Sequence, residues 1–407
     1  MAQPVDPPGI RVVACDAKVA SKKRGICANK LSAEDFRALA PGVSWYYNWH
    51  YKTEFTPPSD VKMEFIPQAW GNRPADVEGL DAYLRDAKVK PRVVLAINEP
   101  NLKDQAFITP QQTADLMKRI KAVADKYNLP VIGPHMALGS GNDASIKAFD
   151  PIDNKEVMYT FFVPFLKATF HYMGNVKPAG LGLHSYGNIH ELKWAAEEMH
   201  KQFGQPVWMT EYAQWKVKNQ DEARDYLIAA TDFLEASPNV AGYAWFKERS
   251  TNKAISLLEK ESGKLSTLGE MYIAIPSHET DVYYRLPGKL QSENYVKANL
   301  ATLKLTKDSE GGVFDMVPGG AETELSYNVM VDREADFAVT FRAFRGAIST
   351  NAIEIVKDGK VIASAMAKSG GAWENVQTTV HLPAGPQTLQ IRCAGHMMNW
   401  AEFTAGK

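Results

Sequence analysis

The 407-residue sequence has almost no net charge and no long apolar run, and each absence excludes a class of protein. Its 46 basic and 47 acidic side chains leave a formal charge of −1, which argues against a polyanionic partner such as nucleic acid and against an anionic membrane surface. No apolar run approaches the roughly 20 residues that span a bilayer. We therefore expect a soluble protein without a nucleic-acid or membrane partner.

Cysteine is scarce, and the three that are present, Cys15, Cys27 and Cys393, leave the redox compartment open. Cys15 and Cys27 are able to pair, but buried free thiols fit the sequence equally well. The first residues, Met-Ala-Gln-Pro-Val-Asp-Pro-Pro, lack the apolar core of a signal peptide. Because a mature secreted protein also begins in this way, the sequence is compatible with secretion, and we expect an extracellular protein.

Motifs for bound metals and phosphates are lacking as well. The nine histidines show no His-x3-His or Glu-x2-His spacing at the end of a predicted strand, and no glycine-rich phosphate loop is present. We therefore expect catalysis without a metal or organic cofactor.

Two patterns typical of buried strands each end in a glutamate. Residues 91–101 read Pro-Arg-Val-Val-Leu-Ala-Ile-Asn-Glu-Pro-Asn, an apolar run that stops at Asn98 and Glu99. Residues 205–212 read Gln-Pro-Val-Trp-Met-Thr-Glu-Tyr, with Glu211 in the corresponding place. In a (β/α)8 barrel the C-terminal ends of all strands share one face, so we expect these carboxylates to lie together. Two carboxylates at one mouth are what glycoside hydrolysis requires.

Apolar runs alternate with amphipathic patterns along most of the chain. Strands are predicted at 23–29, 43–50, 64–70, 91–101, 129–135, 179–186, 205–212 and 240–246. Helices are predicted at 32–39, 74–84, 109–125, 157–170, 189–203 and 220–236, with a last one inside 256–272. Ser32 and Thr109 have the character of helix N-caps. We expect an N-terminal arm at 1–20 and an α/β fold, a (β/α)8 TIM barrel, at 21–275.

The composition changes at about residue 276. A short polar linker at 276–285 precedes short β runs that are broken by Gly and Pro. Strand patterns at 337–344, 352–356, 360–364, 377–382 and 387–393 alternate as half-buried strands do. We expect residues 286–407 to form an all-β sandwich of the jelly-roll kind.

The ordered set of strand-end motifs resembles the retaining glycosidases of clan A, and more narrowly glycoside hydrolase family 128, the β-1,3-glucanases, over about residues 21–275. The motifs are Asn98-Glu-Pro-Asn101, His184-Ser-Tyr186, Trp208-Met-Thr-Glu-Tyr-Ala213, Tyr243-Ala-Trp-Phe246 and the closing helix from Leu265 to Tyr272. The resemblance implies a retaining endo-β-1,3-glucanase with Glu99 as general acid/base and Glu211 as nucleophile. Another clan A specificity, for β-mannan or β-1,4-glucan, stays open, as does a noncatalytic glycan-binding protein.

Further strand-end side chains form the expected substrate-binding set. Asn98 would grip the sugar 2-hydroxyl, and Tyr186 or His184 would hold Glu211 as an anion. Sugars present flat C–H faces that pack on aromatic rings, so ring platforms are expected as well. The candidate rings are Trp45, Trp70, Tyr212, Trp215 and Trp245, whereas Trp208 is expected in the core. We expect a monomer that binds β-glucan oligosaccharides or polysaccharides.

The C-terminal region resembles carbohydrate-binding modules of families 6 and 35. The similarity lies in Leu290-Gln-Ser-Glu-Asn-Tyr295, Trp373, the turn Leu382-Pro-Ala-Gly385 and Asn399-Trp-Ala-Glu-Phe403. It implies that Glu293 helps to hold a structural calcium ion through hard oxygen ligands. Met397 stands where the sugar-binding Asn of these modules usually lies, so a sugar-binding role and a purely structural role both stay open.

Overall fold

The computed structural model describes residues 8–138, 145–345, 352–368, 370–393 and 395–406. The chain divides into two compact units, one formed by Lys22–Ile273 and the other by Met1–Ser21 together with Ala274–Lys407. None of the helices in the described ranges combines the length and apolar character that a bilayer crossing requires.

Strands and helices alternate over the first two thirds of the chain. The strands there are β1 (Arg11–Val13), β2 (Ser21–Cys27), β3 (Val43–Tyr47), β4 (Glu64–Phe65), β5 (Gln68–Ala69), β6 (Val94–Ala96), β7 (Val131–Ala137), β8 (Ile146–Asp150), β9 (Lys155–Tyr159), β10 (Gly180–Ser185), β11 (Val207–Tyr212) and β12 (Val240–Trp245). The helices are α1 (Ala33–Leu39), α2 (Pro74–Asp86), α3 (Pro110–Asp125), α4 (Phe162–Met173), α5 (Ile189–Phe203), α6 (Gln220–Ala236) and α7 (Thr267–Ala274), with a 3-10 turn at Lys253–Ile255. The remaining strands are β13 (Val282–Leu286), β14 (Gly288–Gln291), β15 (Lys297–Asn299), β16 (Ala301–Leu305), β17 (Phe314–Pro318), β18 (Glu324–Val331), β19 (Ala335–Arg345), β20 (Ile353–Lys357), β21 (Lys360–Ala365), β22 (Trp373–Leu382), β23 (Gly385–Arg392) and β24 (His396–Ala405).

The first unit is a mixed α/β fold built on one curled, barrel-like sheet. Its strand order is β4-β3-β2-β12-β11-β10-β7-β6-β5. Strand β12 pairs in parallel with β2, which joins the last strand of the unit to the first. The mixed α/β prediction is therefore confirmed, and the C-terminal ends of the parallel strands lie at one edge of the sheet.

Local sequence signals account for most of these elements. Ser32 and Thr109 cap α1 and α3, and each forms a capping box with the residue three positions later. The strand predicted at 64–70 is interrupted at Ile66 and Pro67, where Pro67 has no backbone N–H to donate.

The helix predicted at 157–170 begins only at Phe162, because β8 and β9 form an antiparallel hairpin before it. Asp150 fixes the hairpin turn, since its carboxylate accepts hydrogen bonds from the backbone N–H groups of Ile152 (2.7 Å) and Asp153 (3.0 Å). The hydroxyl of Tyr159 also donates to this carboxylate, at 2.8 Å.

Large aromatic rings fill the interior of the curled sheet opposite glycines. The rings of Trp45 and Trp208 lie 5.6 Å apart. A Cβ atom at Gly25 would lie 2.3 Å from the Trp45 ring, and one at Gly242 would lie 2.3 Å from the Trp208 ring, so only glycine fits at either place. Trp208 lies in the core as predicted, but Trp45 is fully buried as well and donates its N–H to the Lys23 carbonyl (2.9 Å). The prediction that Trp45 binds substrate is therefore wrong, because its side chain points into the sheet interior.

The second unit is all β and contains two sheets. One has the order β1-β13-β18-β23-β20-β21, with β15 also on β18, and the other has the order β16-β17-β24-β19-β22, with β14 also on β24. Strand β1 pairs in parallel with β13, so that Arg11 lies opposite Val282. Residues 282–286 thus form a strand, although the sequence predicted a linker over 276–285. Residues 11–13, which were predicted as part of an N-terminal arm, extend the same sheet. The alternation in Val-Tyr-Tyr-Arg-Leu explains the strand, because every second side chain is buried.

All three cysteines are free and buried. Burial raises the pKa of the Cys15 and Cys393 thiols to about 12, with the charge of Asp16 contributing at Cys15.

A fully buried ion pair links β2 to β12 and α6. The Arg24 guanidinium donates to the Tyr243 hydroxyl (2.9 Å) and the Tyr272 carbonyl (2.7 Å), and it lies 3.6 Å from a carboxylate oxygen of Glu235. The Tyr243 hydroxyl donates to the same carboxylate. Burial alone would lower the pKa of Arg24, but the neighbouring charges of Tyr243 and Glu235 raise it above its ordinary value.

We expect Arg24→Ala to lower the free energy of unfolding by about 3–5 kcal/mol, because it leaves the Glu235 carboxylate buried without its cation. Guanidinium denaturation of the purified variant measures this change. The matched control is Arg37→Ala, which breaks the exposed pair of Arg37 with Asp60 (2.8 Å) and should leave the midpoint almost unchanged. Equal losses in both variants would show that the buried pair has no special role.

Candidate active site

Both predicted glutamates line one cleft of about 1140 Å³ at the C-terminal ends of the parallel strands. Glu99 follows β6, and Glu211 lies in β11, where it is paired in register with His184 of β10. The cleft is lined by Trp49, Trp70, Asn98, Glu99, Leu102, Gln105, Ala137, Leu138, His184, Tyr186, Gly187, Asn188, Glu191, Glu211, Gln214, Trp215, Lys216, Phe246 and Lys247.

The backbone around Glu99 adopts an unusual conformation. Strand β6 ends at Ala96, and the next residues include two with left-handed φ angles, Ile97 (60°) and Glu99 (45°). A β-branched residue rarely adopts this conformation, and such positions cluster at functional sites. Hydrogen bonds hold the segment: the Asn98 N–H donates to the Trp70 carbonyl (2.7 Å), and the Glu99 N–H donates to the His135 carbonyl (2.8 Å).

His184 lies between the two glutamates. Its Nδ1 is 2.9 Å from Oε1 of Glu99 and 3.5 Å from Oε2 of Glu211. One oxygen of each carboxylate and one ring nitrogen all lie within 4.8 Å of one another. Burial lowers the pKa of His184, but the charges of Glu211 and Glu99 outweigh burial and raise this pKa above its ordinary value. Three such groups also form a set that could hold a cation.

Three neutral donors surround the Glu211 carboxylate. The indole N–H of Trp49 donates to Oε1 (2.7 Å), and the Tyr186 hydroxyl donates to Oε2. The Tyr47 hydroxyl shares its single proton between Oε1 (3.2 Å) and the Thr210 carbonyl (3.1 Å). Burial raises the pKa of Glu211 above its ordinary value, whereas His184 and the hydrogen bonds from Tyr186 and Trp49 act in the opposite direction. Donors of this kind favour the ionised carboxylate.

Behind His184 lies a buried hydrogen-bonded chain. The Thr210 hydroxyl is 3.1 Å from Nε2 of His184 and 2.6 Å from Nδ1 of His135. Burial, aided by the charge of His184, lowers the pKa of His135 well below its ordinary value. Gly182 makes room for the His135 ring, because a Cβ atom there would lie 2.1 Å from Nδ1.

Five of the predicted substrate-binding side chains line the cleft: Asn98, Trp70, His184, Tyr186 and Trp215. Trp215 is 42% exposed and meets the Tyr186 ring edge-on at 6.0 Å. The Trp70 ring has the Arg73 guanidinium over it, 4.7 Å from the ring centroid, so its stacking surface is partly occupied.

The predictions for Tyr212 and Trp245 are wrong, as is that for Trp45. Tyr212 is fully buried and hydrogen-bonds Thr231 of α6 (2.8 Å). Trp245 is also fully buried, and its N–H donates to the Ile255 carbonyl (2.7 Å). Successive side chains of a strand alternate between its two faces, so the neighbour of the inward-pointing Glu211 points out towards the helices.

The predicted site omitted four side chains that surround Glu211 and His184: Tyr47, Trp49, His135 and Thr210. The aromatic crowding at the end of the strand predicted at 43–50 was a usable signal for Tyr47 and Trp49. Thr210 directly precedes Glu211, but no sequence spacing connects it to His135, which lies 75 residues away.

The C-terminal unit contains the predicted metal ligand, Glu293. This glutamate is buried, and its Oε2 has no hydrogen-bond partner among the described residues. Burial raises the pKa of Glu293 to about 8, and the charge of Asp315 contributes to the rise. Within the described ranges Glu293 is not one of three or more His, Cys, Asp or Glu side chains that lie close enough together to bind one metal ion.

Comparison with known proteins agrees with the geometry of the cleft. The family described as "Glycosyl hydrolase catalytic core" matches residues 25–272. A search of curated proteins found no match.

Two solved structures share the fold of the first unit. An endo-β-1,3-glucanase of glycoside hydrolase family 128, subgroup II, from Sorangium cellulosum is 27% identical, with a TM-score of 0.55 over 63% of this chain and 100% of that chain. A subgroup II endo-β-1,3-glucanase from Pseudomonas viridiflava is 28% identical, with a TM-score of 0.54 over 64% of this chain and 100% of that chain. Since the family match spans more than half of the sequence and includes both cleft glutamates, this chain belongs to the glycosyl hydrolases that share this catalytic core.

Proposed function

We propose that this glycoside hydrolase is a secreted, monomeric endo-β-1,3-glucanase that acts with retention of configuration. The observation that carries the proposal is the pair of buried glutamates with carboxylate oxygens within 4.8 Å. The two similar solved structures, which match along their whole length, are endo-β-1,3-glucanases. A polysaccharide substrate, which cannot cross a membrane, supports a role outside the cell.

The spacing of the carboxylates supports retention rather than inversion. Retaining enzymes hold their carboxyl groups about 5–5.5 Å apart, whereas inverting enzymes need about 6.5–9.5 Å to admit a water molecule. One oxygen of Glu99 lies within 4.8 Å of one oxygen of Glu211, a close approach that favours the retaining arrangement over the inverting one.

The roles follow from the hydrogen bonds to each group. Glu211, with its three donors, is the better anion and attacks the anomeric carbon, while Glu99 gives its proton to the departing glycosidic oxygen. The bond that forms joins Glu211 to the sugar, and the bond that breaks releases the leaving chain as an alcohol. Glu99, now ionised, takes a proton from water, whose oxygen then displaces Glu211. Each turnover restores both groups and consumes one water.

Asn98 is suited to bind the sugar beside the reacting carbon. Its amide N–H donates to Gln105 (3.0 Å), which orients the group, and its Oδ1 is buried with no hydrogen-bond partner among the residues that the structure describes. A free acceptor at this place supports a hydrogen bond from the sugar 2-hydroxyl, which strengthens towards the transition state.

A separate proposal concerns the closure of the sheet in the first unit. We infer that β4 and β5 are one interrupted strand, because only Ile66 and Pro67 separate them and the Leu95 N–H donates to the Pro67 carbonyl (2.9 Å). The sheet would then close as a (β/α)8 barrel. The two sheets of the second unit support a sandwich of the jelly-roll kind.

A substrate panel tests the main proposal. We expect release of reducing ends from laminarin and curdlan, and at most traces from β-mannan or cellulose. A preference for β-mannan or β-1,4-glucan would move the enzyme to another specificity of the same clan. Binding to β-glucan without any hydrolysis would instead identify a noncatalytic glycan-binding protein.

Azide separates the roles of the two glutamates. Glu211→Gly with azide should yield a glycosyl azide of inverted configuration, because azide replaces the missing nucleophile from the opposite face. Glu99→Ala, on an activated aryl glycoside with azide, should yield the retained product, because azide attacks the glycosyl-enzyme. NMR of the products reads the configuration, and the opposite pattern would exchange the two assignments.

Trp215→Ala should lower kcat/KM on laminari-oligosaccharides roughly tenfold, because an exposed ring that packs on a sugar loses that contact. Its thermal midpoint should stay close to the wild-type value. The matched variant Trp245→Ala should show the reverse, a stability loss of about 3–5 kcal/mol from a buried cavity. A fall in stability alone for Trp215→Ala would place this ring in the core.

For the second unit we propose a module of the carbohydrate-binding type with a structural calcium ion at Glu293. Its support is a buried carboxylate oxygen that has no partner within the described part of the chain and that a hard cation would satisfy. Glu293 and the neighbouring Asp315 are the residues that would contribute carboxylate ligands.

Without calcium, Glu293 should make stability depend on pH. Its pKa is raised from 4.5 to about 8 by folding, so the contribution of Glu293 to stability is greatest below pH 4.5 and is lost as pH rises towards 8. Thermal melts in a chelator should show this slope, and Glu293→Gln should flatten it. Adding calcium at pH 8 should raise the wild-type midpoint but not that of the variant. If calcium has no effect on the wild type, Glu293 is a neutral buried acid and holds no ion.

A further inference from the structure

We propose that Trp49 is a positioning residue that makes Glu211, rather than Glu99, the nucleophile of the site. The inference rests on the proposed retaining function and assigns a role to a residue outside the predicted substrate-binding set.

Trp49 is held in a conformation that its own backbone disfavours. It lies just beyond β3 with a φ of 60°, in the left-handed region that bulky residues rarely enter. Such a conformation persists only where the surroundings hold it. Here the ring packs against Tyr47 (5.3 Å between centroids) and Phe246 (5.7 Å), and the Lys247 ammonium lies 5.7 Å from its centroid.

This conformation aims the indole N–H at one oxygen of the nucleophile. The distance from Nε1 to Oε1 of Glu211 is 2.7 Å. The hydroxyls of Tyr47 and Tyr186 are able to donate or to accept, so they are compatible with either protonation state of the glutamate. An indole is a donor only, and its hydrogen bond to an ionised carboxylate is stronger than one to a neutral carboxyl group, so it favours the ionised form of Glu211.

Among the residues that the structure describes, no indole donates to the other glutamate. Within the described residues the Glu99 carboxyl is hydrogen-bonded by His184, and His184 also lies 3.5 Å from Glu211. Because the histidine is shared, it distinguishes the two glutamates only weakly. The indole contacts Glu211 alone and therefore breaks the symmetry between two neighbouring carboxylates.

The test separates the donor from the ring. Trp49→Phe keeps a ring and removes the N–H, whereas Trp49→Gln removes the ring and keeps an N–H donor. On a soluble β-1,3-gluco-oligosaccharide, we expect Trp49→Phe to lower kcat/KM by about 10- to 100-fold. The acid limb of its kcat/KM profile should move to higher pH, because the ionised nucleophile has lost a stabilising donor. Trp49→Gln should keep the acid limb near its wild-type position.

Trp45→Phe is the matched control, since Trp45 lies in the adjoining strand β3 but donates its N–H to a backbone carbonyl. It should lower the thermal midpoint without moving the acid limb. An unmoved acid limb in Trp49→Phe, or equal shifts in the Phe and Gln variants, would overturn the inference. If the wild type does not hydrolyse β-1,3-glucan at all, the proposed function fails instead, whatever the variants do.

Discussion

The repulsion between two buried carboxylates is the constraint around which the catalytic unit is organised. Two unit charges within 4.8 Å repel by roughly 3 kcal/mol at an effective dielectric constant of 20, so the site disfavours two anions at once. In the proposed mechanism the pair therefore keeps one proton. Three donors favour the anion at Glu211, and this suits Glu99 to the proposed role of proton donor. The proposed division into acid and nucleophile thus rests on crowding combined with unequal surroundings.

The parallel sheet makes this crowding possible. Parallel strands carry their last residues to one edge, and the register that pairs His184 with Glu211 places the histidine directly beside that carboxylate. The layer beneath is rigid because it is packed, with Trp45 and Trp208 set against glycines that admit no Cβ atom. Thr210 and His135 fix the far side of the His184 ring. Two carboxylates that repel each other stay close together only if the packed layer beneath them prevents their strands from moving apart.

How much of this the sequence predicts depends on the kind of signal. The two glutamates were predictable, because an apolar run that stops at a carboxylate marks the end of a buried strand, and parallel strands end together. The aromatic residues were harder, since alternation along a strand sends Tyr212 and Trp245 towards the helices while Glu211 points into the cleft. The aromatic run at 43–50 is a signal for Trp49, but the hydrogen bond of Trp49 to Glu211 also depends on its own left-handed φ, which no local pattern predicts. Strand β1 pairs with β13 across some 270 residues, and three residues carry too little pattern to reveal that partner.

In the proposed reaction His184 keeps the net charge of the site constant. The carboxylates on either side raise its pKa despite burial, and its two nitrogens face Glu99 and Thr210, as suits an imidazolium with two donors. Before the first step Glu211 carries the negative charge, and after it Glu99 does, because one group has formed an ester while the other has lost its proton. The single cation lies 2.9 Å from one and 3.5 Å from the other, so it can neutralise either without moving. The net charge of these three groups then stays at zero through both half-reactions. A buried site can therefore move its negative charge from one side of the sugar to the other without exposing an unpaired charge to a low-dielectric interior.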